Sequence, residues 1–326
     1  MIARQHGVAL ITALLVVAIA SVAAVAMTTR QQLDIRRTGN LLHSEQAWAY
    51  VLGAEAWARV VLARDANESQ IDTLKEDWAT RPPASIVEGG YIVGRIIDLQ
   101  GRFNVNSLVQ GGKADEAAIT QYKRLLRRLE LEETLADPLV DWIDANLDER
   151  FPDGAEDNSY LLLNPPYRAA NRPLADITEL RLVKGYSAEV LSKLLPYVTA
   201  LPQPTAINVN TASAEVLSTV ADGLSLADGE SLLEARGEDG FASVDNFLKE
   251  AVLAGKNVDA DMLTVSSQWF LMVSEANVGR GRARLASLIQ RDTKGTRVIS
   301  RRREFTETVE VAVDEGAAND ATGEGG

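Results

Sequence analysis

Apolar positions along the chain fall into three regimes, and each predicts a different element. From Val8 to Met27 the chain runs for 20 residues without a charge, a proline or a glycine, and at about 1.5 Å per residue such a run spans the ~30 Å hydrocarbon core of a bilayer. Downstream no proline occurs from Thr28 to Arg64, and Leu33, Leu41, Leu42, Trp48, Val51, Leu52, Trp57 and Val60 recur at three- and four-residue steps. That spacing is helical. The two stretches read as one helix of about 50 residues.

After Pro82-Pro83 the period changes to two. Tyr91, Val93, Arg95 and Ile97 fall on one face, with Ile92, Gly94, Ile96 and Asp98 on the other, which predicts a strand. Near the end Trp269 to Ala276, Arg282 to Gln290 and Thr296 to Arg302 are β-rich runs separated by turn signals at Asn277-Val278-Gly279 and Lys294-Gly295. They predict an antiparallel meander. Between the strand signals, residues 105–262 are almost wholly helical by pattern. The economical reading is α+β: a long N-terminal helix packed on an antiparallel sheet, with a large all-α domain inserted between the sheet's two halves.

Composition narrows the function. A chain of 326 residues exceeds the usual size of one core, so two subdomains are expected in its folded part. A net charge of −13 opposes binding to a phosphate backbone. No cysteine is present, which excludes disulfides, thiolate zinc sites and a thiol nucleophile. His6 and His43 are the two histidines, both N-terminal, so the head has no histidine for acid–base work. Ala24-Val25-Ala26 fits a signal-peptide cleavage site, but the short leader and the unbroken helical continuation favour a retained anchor.

The leader ends in Gly7 and is followed by Val8-Ala9-Leu10-Ile11-Thr12 and the apolar helix. This resembles the prepilin peptidase site of type IV pilins and pseudopilins. The resemblance implies cleavage after Gly7, methylation of Val8, and anchorage in the inner membrane as a single span with the head in the periplasm. Arg4 on the cytoplasmic side agrees with the positive-inside rule. Thr12 stands at mature position five, where most of that family carries a glutamate. A non-acidic residue there, the large size and the inserted helices resemble protein K of type II secretion, a minor pseudopilin of the filament tip.

The implied partners are other minor pseudopilins, through the N-terminal helices, the prepilin peptidase, the inner-membrane secretion platform and secreted substrates. The chain then divides into a leader, 1–7, a membrane segment, 8–28, helix and first strands, 29–104, the inserted domain, 105–262, C-terminal strands, 263–305, and a tail, 306–326. That tail is acidic and aperiodic from Asp314 onward, which reads as disorder. Arg301-Arg302-Arg303 before it reads as a solvated strand end.

Two internal features compete for a function. Phe103-Asn104-Val105-Asn106-Ser107 and Ile207-Asn208-Val209-Asn210-Thr211 form a repeat 104 residues apart, with Ser107 or Thr211 as candidate helix N-caps. The second copy resembles helix-hairpin-helix/SAM-like modules, which raises a membrane-tethered DNA-binding or uptake protein as the alternative. The loop Asp222-Gly223-Leu224-Ser225 lacks the second glycine and carries an aspartate, so the expectation is protein scaffold and no nucleic acid.

The other feature is acidic: seven of the eighteen residues from Asp141 to Asn158 are Asp or Glu. Asp144, Asn146 and Asp148 alternate as in the opening of a calcium loop, but Glu149 and Ala155 stand where an EF-hand needs Gly and Glu. With Asp153, Glu156 and Asp157 they form a candidate Ca2+ site, and the resemblance to protein K implies calcium in this lobe. Catalysis is not expected: the chain is only 6% aromatic, against a sugar cleft, and Gly111-Gly112-Lys113-Ala114 is no phosphate-binding loop.

Overall fold

The computed structural model describes residues 6–303. The first residues of the predicted leader and the predicted acidic tail lie outside them. Helix α1 runs from His6 to Glu68 without interruption, 63 residues or about 95 Å. From Val8 to Met27 it touches nothing else in the protein. Its C-terminal part lies against a five-stranded antiparallel sheet of β1 (Ser85–Val87), β2 (Gly90–Asp98), β3 (Trp269–Val278), β4 (Gly281–Asp292) and β5 (Gly295–Arg302), in spatial order β1-β2-β3-β4-β5. The long N-terminal helix and antiparallel sheet are thus present, and β2 to β5 fall within a few residues of the period-two runs.

The large apolar residues that gave α1 its helical period are mostly not the ones that pack on the sheet. Of the residues that recur at helical steps, Val51 is fully buried, whereas Leu33, Leu41, Leu42, Trp57 and Val60 face outward. The packed stripe is instead Ala47, Val51, Ala54, Ala58, Val61 and Leu62, which meets Val278, Leu285, Phe270, Met272 and Ile289 of the sheet. Small side chains let the helix axis approach the sheet closely, so the face that packs is the less bulky one. The approach is tightest at Gly281, where a Cβ would lie 2.4 Å from the backbone carbon of His43. Along β2, Ile92 and Ile96 join the α1 side while Ile97 joins Trp269, Leu271 and Val273 on the other, as the alternation requires.

Between β2 and β3 the chain makes a lobe with its own core, reaching from Phe103 to Leu263. It contains α2 (Glu116–Arg128), α3 (Ala136–Ile143), α4 (Asp157–Tyr160), α5 (Ala188–Leu194), α6 (Ala214–Leu217), α7 (Leu226–Arg236) and α8 (Val244–Phe247). The lobe is not purely helical: Phe103–Asn104 pairs in parallel with Val198–Thr199, and Ile207–Asn208 with Leu263–Thr264.

Those pairs expose what the internal repeat does. The second asparagine of each copy grips one backbone residue by both its groups: Asn106 Oδ1 accepts from Leu174 N at 2.8 Å and its amide donates to Leu174 O at 2.9 Å, while Asn210 does the same with Phe241 at 2.7 and 3.0 Å. The first asparagine accepts from the second's backbone, 3.2 Å for Asn104 and 2.9 Å for Asn208. The helix-capping roles expected of Ser107 and Thr211 belong to Asn104 and Ser213. Ser107 instead accepts from Thr205 N, and Thr211 donates to Asp98.

Where lobe, sheet and α1 meet, a buried polar knot replaces apolar packing. Arg291 of β4 holds Asp65 of α1 at 2.7 Å, Asp72 at 2.5 Å and the Ser267 carbonyl at 2.8 Å, and stacks 4.7 Å over the Phe270 ring. Beside it Asp98 accepts from Ser267 Oγ, Thr211 Oγ1 and the Asn208 amide. Burial pushes the carboxyls of Asp98 and Asp65 up to about 6 against these bonds.

A carboxyl raised in the folded state favours folding while protonated; that contribution is complete below the unfolded value near 4 and is lost as pH climbs through about 6. Stability is therefore expected to fall by about 1–3 kcal/mol between about pH 4.5 and about pH 7. Thermal melts across that window, with Asp98→Asn flattening the slope, check it; a wild-type profile that rises with pH would contradict it.

Candidate functional site

Two regions carry the residues singled out in the sequence. The first is the free half of α1. Val8 is exposed at its start, and Thr12 one turn on donates its hydroxyl to the carbonyls of Val8 at 3.1 Å and Ala9 at 2.9 Å. Thr28 and Thr29 do the same to Ala24 and Val25. The hydroxyls of Thr12, Thr28 and Thr29 are thus satisfied inside the helix, which lowers the cost of placing them in or beside hydrocarbon. Thr12 offers no charge at the position where a carboxylate would need a cationic partner. Gly7 lies within α1 immediately before Val8.

The second region is the acidic segment after α3. Asp141 is fully buried and shapes the loop: it accepts from Ala155 N at 2.8 Å and Arg150 N at 3.1 Å. Gly154 is required beside it, because a Cβ there would sit 2.2 Å from Asp141 Oδ2. The next residues are ordered by their own backbone, Asp144 accepting from Asn146 N at 3.2 Å and Asn146 from Asp148 N at 2.7 Å. Asn146 and Asp148 are exposed, Asp153 and Asp157 half-buried, and Asp144 and Glu156 buried. Asp157 spends one oxygen on Ala169 N, at 3.1 Å.

Glu156 stands apart from the rest. It is 3% exposed, yet neither carboxylate oxygen has a hydrogen-bond partner. Burial pushes its carboxyl up to about 7, with Asp141, Asp144 and Asp157 adding like-charge repulsion. The side-chain oxygen of Asn171 is likewise buried and without a partner, while its amide donates to Asn146 O at 3.2 Å. Asn171 favours the ionised Glu156 weakly, without reaching hydrogen-bond geometry. Orphaned buried oxygens from two distant segments, among further carboxylates, are what a hard cation's ligands look like.

The structure therefore gathers Asp144, Glu156 and Asp157 and leaves Asn146 and Asp148 on the outside. It adds Asn171, which no local motif signalled; Asn171 adopts a left-handed backbone, φ +46°, 15 residues beyond Glu156. A tighter carboxylate trio exists elsewhere: ligand oxygens of Asp65, Asp72 and Glu76 lie within 4.8 Å of one another. There the Arg291 guanidinium already supplies the positive charge.

In the hairpin between α6 and α7, Asp222, Gly223 and Ser225 are exposed. Leu224 is buried, and its carbonyl and that of Gly223 accept from Arg128 at 2.5 Å and Lys256 at 3.2 Å. Arg301, Arg302 and Arg303, expected as a solvated strand end, each have a partner: Arg301 pairs with buried Glu55 of α1 at 2.6 Å, Arg302 with Asp176 of the lobe, and Arg303 stacks 4.3 Å over Trp48.

Comparison with known proteins places these features. Two family profiles described as type II secretion system, protein K, match residues 101–203 and 207–266, one for each copy of the repeat. A type II secretion system protein K of Pseudomonas aeruginosa is 42% identical over 310 residues, 91% of this chain and 92% of its own length. Its Klebsiella pneumoniae counterpart is 36% identical, covering 92% and 96%. Among solved structures, a chain in the crystal structure of the GspK-GspI-GspJ complex from enterotoxigenic Escherichia coli superposes with a TM-score of 0.75 at 30% identity, over 83% of this chain and all of that one.

Proposed function

The chain belongs to the protein K family of type II secretion, and from that membership we propose that it is a minor pseudopilin, anchored in the inner membrane by α1 with its head in the periplasm. α1 carries this reading: its first half touches nothing in the protein, while its second half is built into the sheet. A helix divided in this way holds a folded head beside a membrane and leaves apolar residues such as Leu41 and Leu42 outward for neighbouring helices. The solved relative was crystallised as a complex with GspI and GspJ, which supports sister minor pseudopilins as partners here.

In this reading the prepilin peptidase cuts between Gly7 and Val8 and the new Val8 amine is methylated. Thr12, satisfied within its own helix, has no carboxylate to pair with a neighbour's amine, which suits a subunit that starts a filament. The bulky lobe suits the tip, capping a short filament that moves substrates outward from the inner-membrane platform. Asp222, exposed in the hairpin after α6, opposes a phosphate there and supports the lobe as scaffold for proteins over the DNA-binding alternative. Relatives are named as secretion-system proteins, in keeping with a structural role and no catalysis.

Glu156, Asp144, Asp157 and Asn171 are the residues that would hold a calcium ion in the lobe, whose chemistry there is to neutralise converging carboxylates and fix the loops that carry them. Mass spectrometry of the mature N-terminus tests the anchor: a chain beginning at methylated Val8 is expected, and one beginning at Met27 overturns the proposal.

A further inference from the structure

Between its apolar run and the sheet, α1 passes through a bare neck. Every residue from Thr28 to Thr38 is exposed, and the close approach to the sheet lies further along, where Gly281 meets His43. The neck carries Arg30, Arg36 and Arg37 against a single acid, Asp34, which makes it positive in a chain of net charge −13. Asp34 stands one turn from both Arg30 and Arg37, yet among the described residues none of the three guanidiniums has an ion pair or a hydrogen bond. On the far side of the apolar run, Arg4 is the one arginine or lysine of the leader. Three unpaired arginines just outside a span, on the side that the positive-inside rule leaves poor in positive charge, call for a counter-charge.

Resting on the reading of α1 as an inner-membrane anchor with the head in the periplasm, we propose that Arg30, Arg36 and Arg37 form a collar that binds the phosphates of anionic phospholipids in the periplasmic leaflet. Depth favours this partner. Measured from Met27, the Arg30 Cα stands about 4.5 Å out along the helix, and those of Arg36 and Arg37 about 14 and about 15 Å. The headgroup layer is about 5–8 Å thick on each side of the hydrocarbon, so Arg30 starts inside it. Helical side chains lean toward the N-terminus, here toward the bilayer, and a tilted span lowers the neck further. Both effects bring Arg36 and Arg37 to the outer edge of the layer, within a Debye length of the phosphates.

A guanidinium matches a phosphate in two parallel hydrogen bonds. A zwitterionic headgroup brings its own cation to that phosphate and an anionic one does not, so the collar discriminates between them. The rest of the chain is acidic and is repelled by the same surface, which confines lipid contact to the neck and holds the head clear of the bilayer. Acidic side chains of a sister subunit are the rival counter-charge. Lipid is favoured because the span itself delivers the neck to the phosphates, with or without a partner.

The chain has no cysteine, so Leu33→Cys, at an exposed position between the arginines, carries a single fluorophore. The labelled full chain is reconstituted into vesicles of equal parts phosphatidylcholine and phosphatidylglycerol, with a trace of one lipid or the other bearing an acceptor dye on an acyl chain. Energy transfer is expected to show phosphatidylglycerol enriched about fivefold around the neck, the preference worth one arginine near the surface, and the enrichment to fade in molar salt. Arg30→Gln, Arg36→Gln and Arg37→Gln together are expected to abolish it, whereas lysine at the same three positions keeps the charge and most of the enrichment. Flotation with the vesicles reads the anchor separately: a chain that does not float defeats the anchor reading and the collar with it. A chain that floats with both lipids equally represented around the label overturns the collar alone and leaves the arginines to a partner's acidic side chains. Enrichment that survives the glutamine substitutions also overturns it.

Discussion

Replacing Arg291 with methionine is expected to destabilise the head by about 3–5 kcal/mol at neutral pH, among the largest losses open to a single substitution here. The reason is electrostatic more than steric, since methionine keeps much of the arginine stem and loses the guanidinium, with its stacking over Phe270. The guanidinium is the counter-charge for Asp65 and Asp72, all three buried, and it also ties down the Ser267 carbonyl. Without it, two carboxylates are left facing each other in low dielectric, with Glu76 close by. The loss is expected to shrink as pH falls toward about 5, because burial already raises both carboxyls and removing Arg291 raises them further.

Adding Asp65→Asn and Asp72→Asn to the methionine variant removes the unpaired charges and is expected to recover most of the loss. Urea or thermal melts of the three chains at two pH values check both statements. A methionine variant that melts with the wild type at neutral pH would show that the knot is idle. Since Arg291 joins α1 and the sheet to the segment closing the lobe, its loss is also expected to loosen the head as a unit, which exchange protection at Asn208 and Ser267 would report.

How far such features could be read beforehand depended on whether their cause was local. The strands were legible because alternation is a nearest-neighbour property: Tyr91 to Asp98 shows its two faces without any knowledge of β3. The anchor was legible because an apolar run needs only length. The packed face of α1 was not, because hydrophobic weight points to Leu41, Trp57 and Val60, whereas Ala47, Ala54 and Ala58 are chosen by how near the sheet can come. Arg291, Asp65 and Asp72 were likewise invisible: over 200 residues separate Arg291 from either carboxylate, and no spacing rule links them.

The repeated asparagines stood out as a pattern, but their purpose did not. Asn106 and Asn210 each bind a backbone residue far along the chain, which makes the repeat a packing device. In the acidic segment the sequence named the polar residues together but carried no sign of which of them are buried. Asp144, Asn146 and Asp148 attract attention by alternation, yet the side chains of Asp144 and Asn146 accept from the loop's own backbone, and Asn146 and Asp148 lie exposed at the surface. Glu156 was named among the acidic residues and Asn171 carries no signature beyond being polar; burial of their oxygens without partners is what distinguishes the two.

That distinction sets the size of the last expectation. Calcium that binds only the folded chain adds RT ln(1 + [L]/Kd), about 2.7 kcal/mol at a hundredfold excess over Kd, so millimolar calcium is expected to raise the melting temperature well above that in chelator. Glu156→Gln should abolish most of this gain. It should do so without weakening the chelated protein, because it removes an uncompensated buried charge while keeping the volume. Asp148→Asn, at an exposed position, should leave the calcium-dependent gain nearly intact. The two variants separate a hard-cation site centred on Glu156 from general screening of an acidic loop, which would respond to either substitution alike. If calcium leaves the wild-type melt unmoved, or if the glutamine variant gains as much as the wild type, Glu156 is not a ligand and its orphaned oxygens need another explanation.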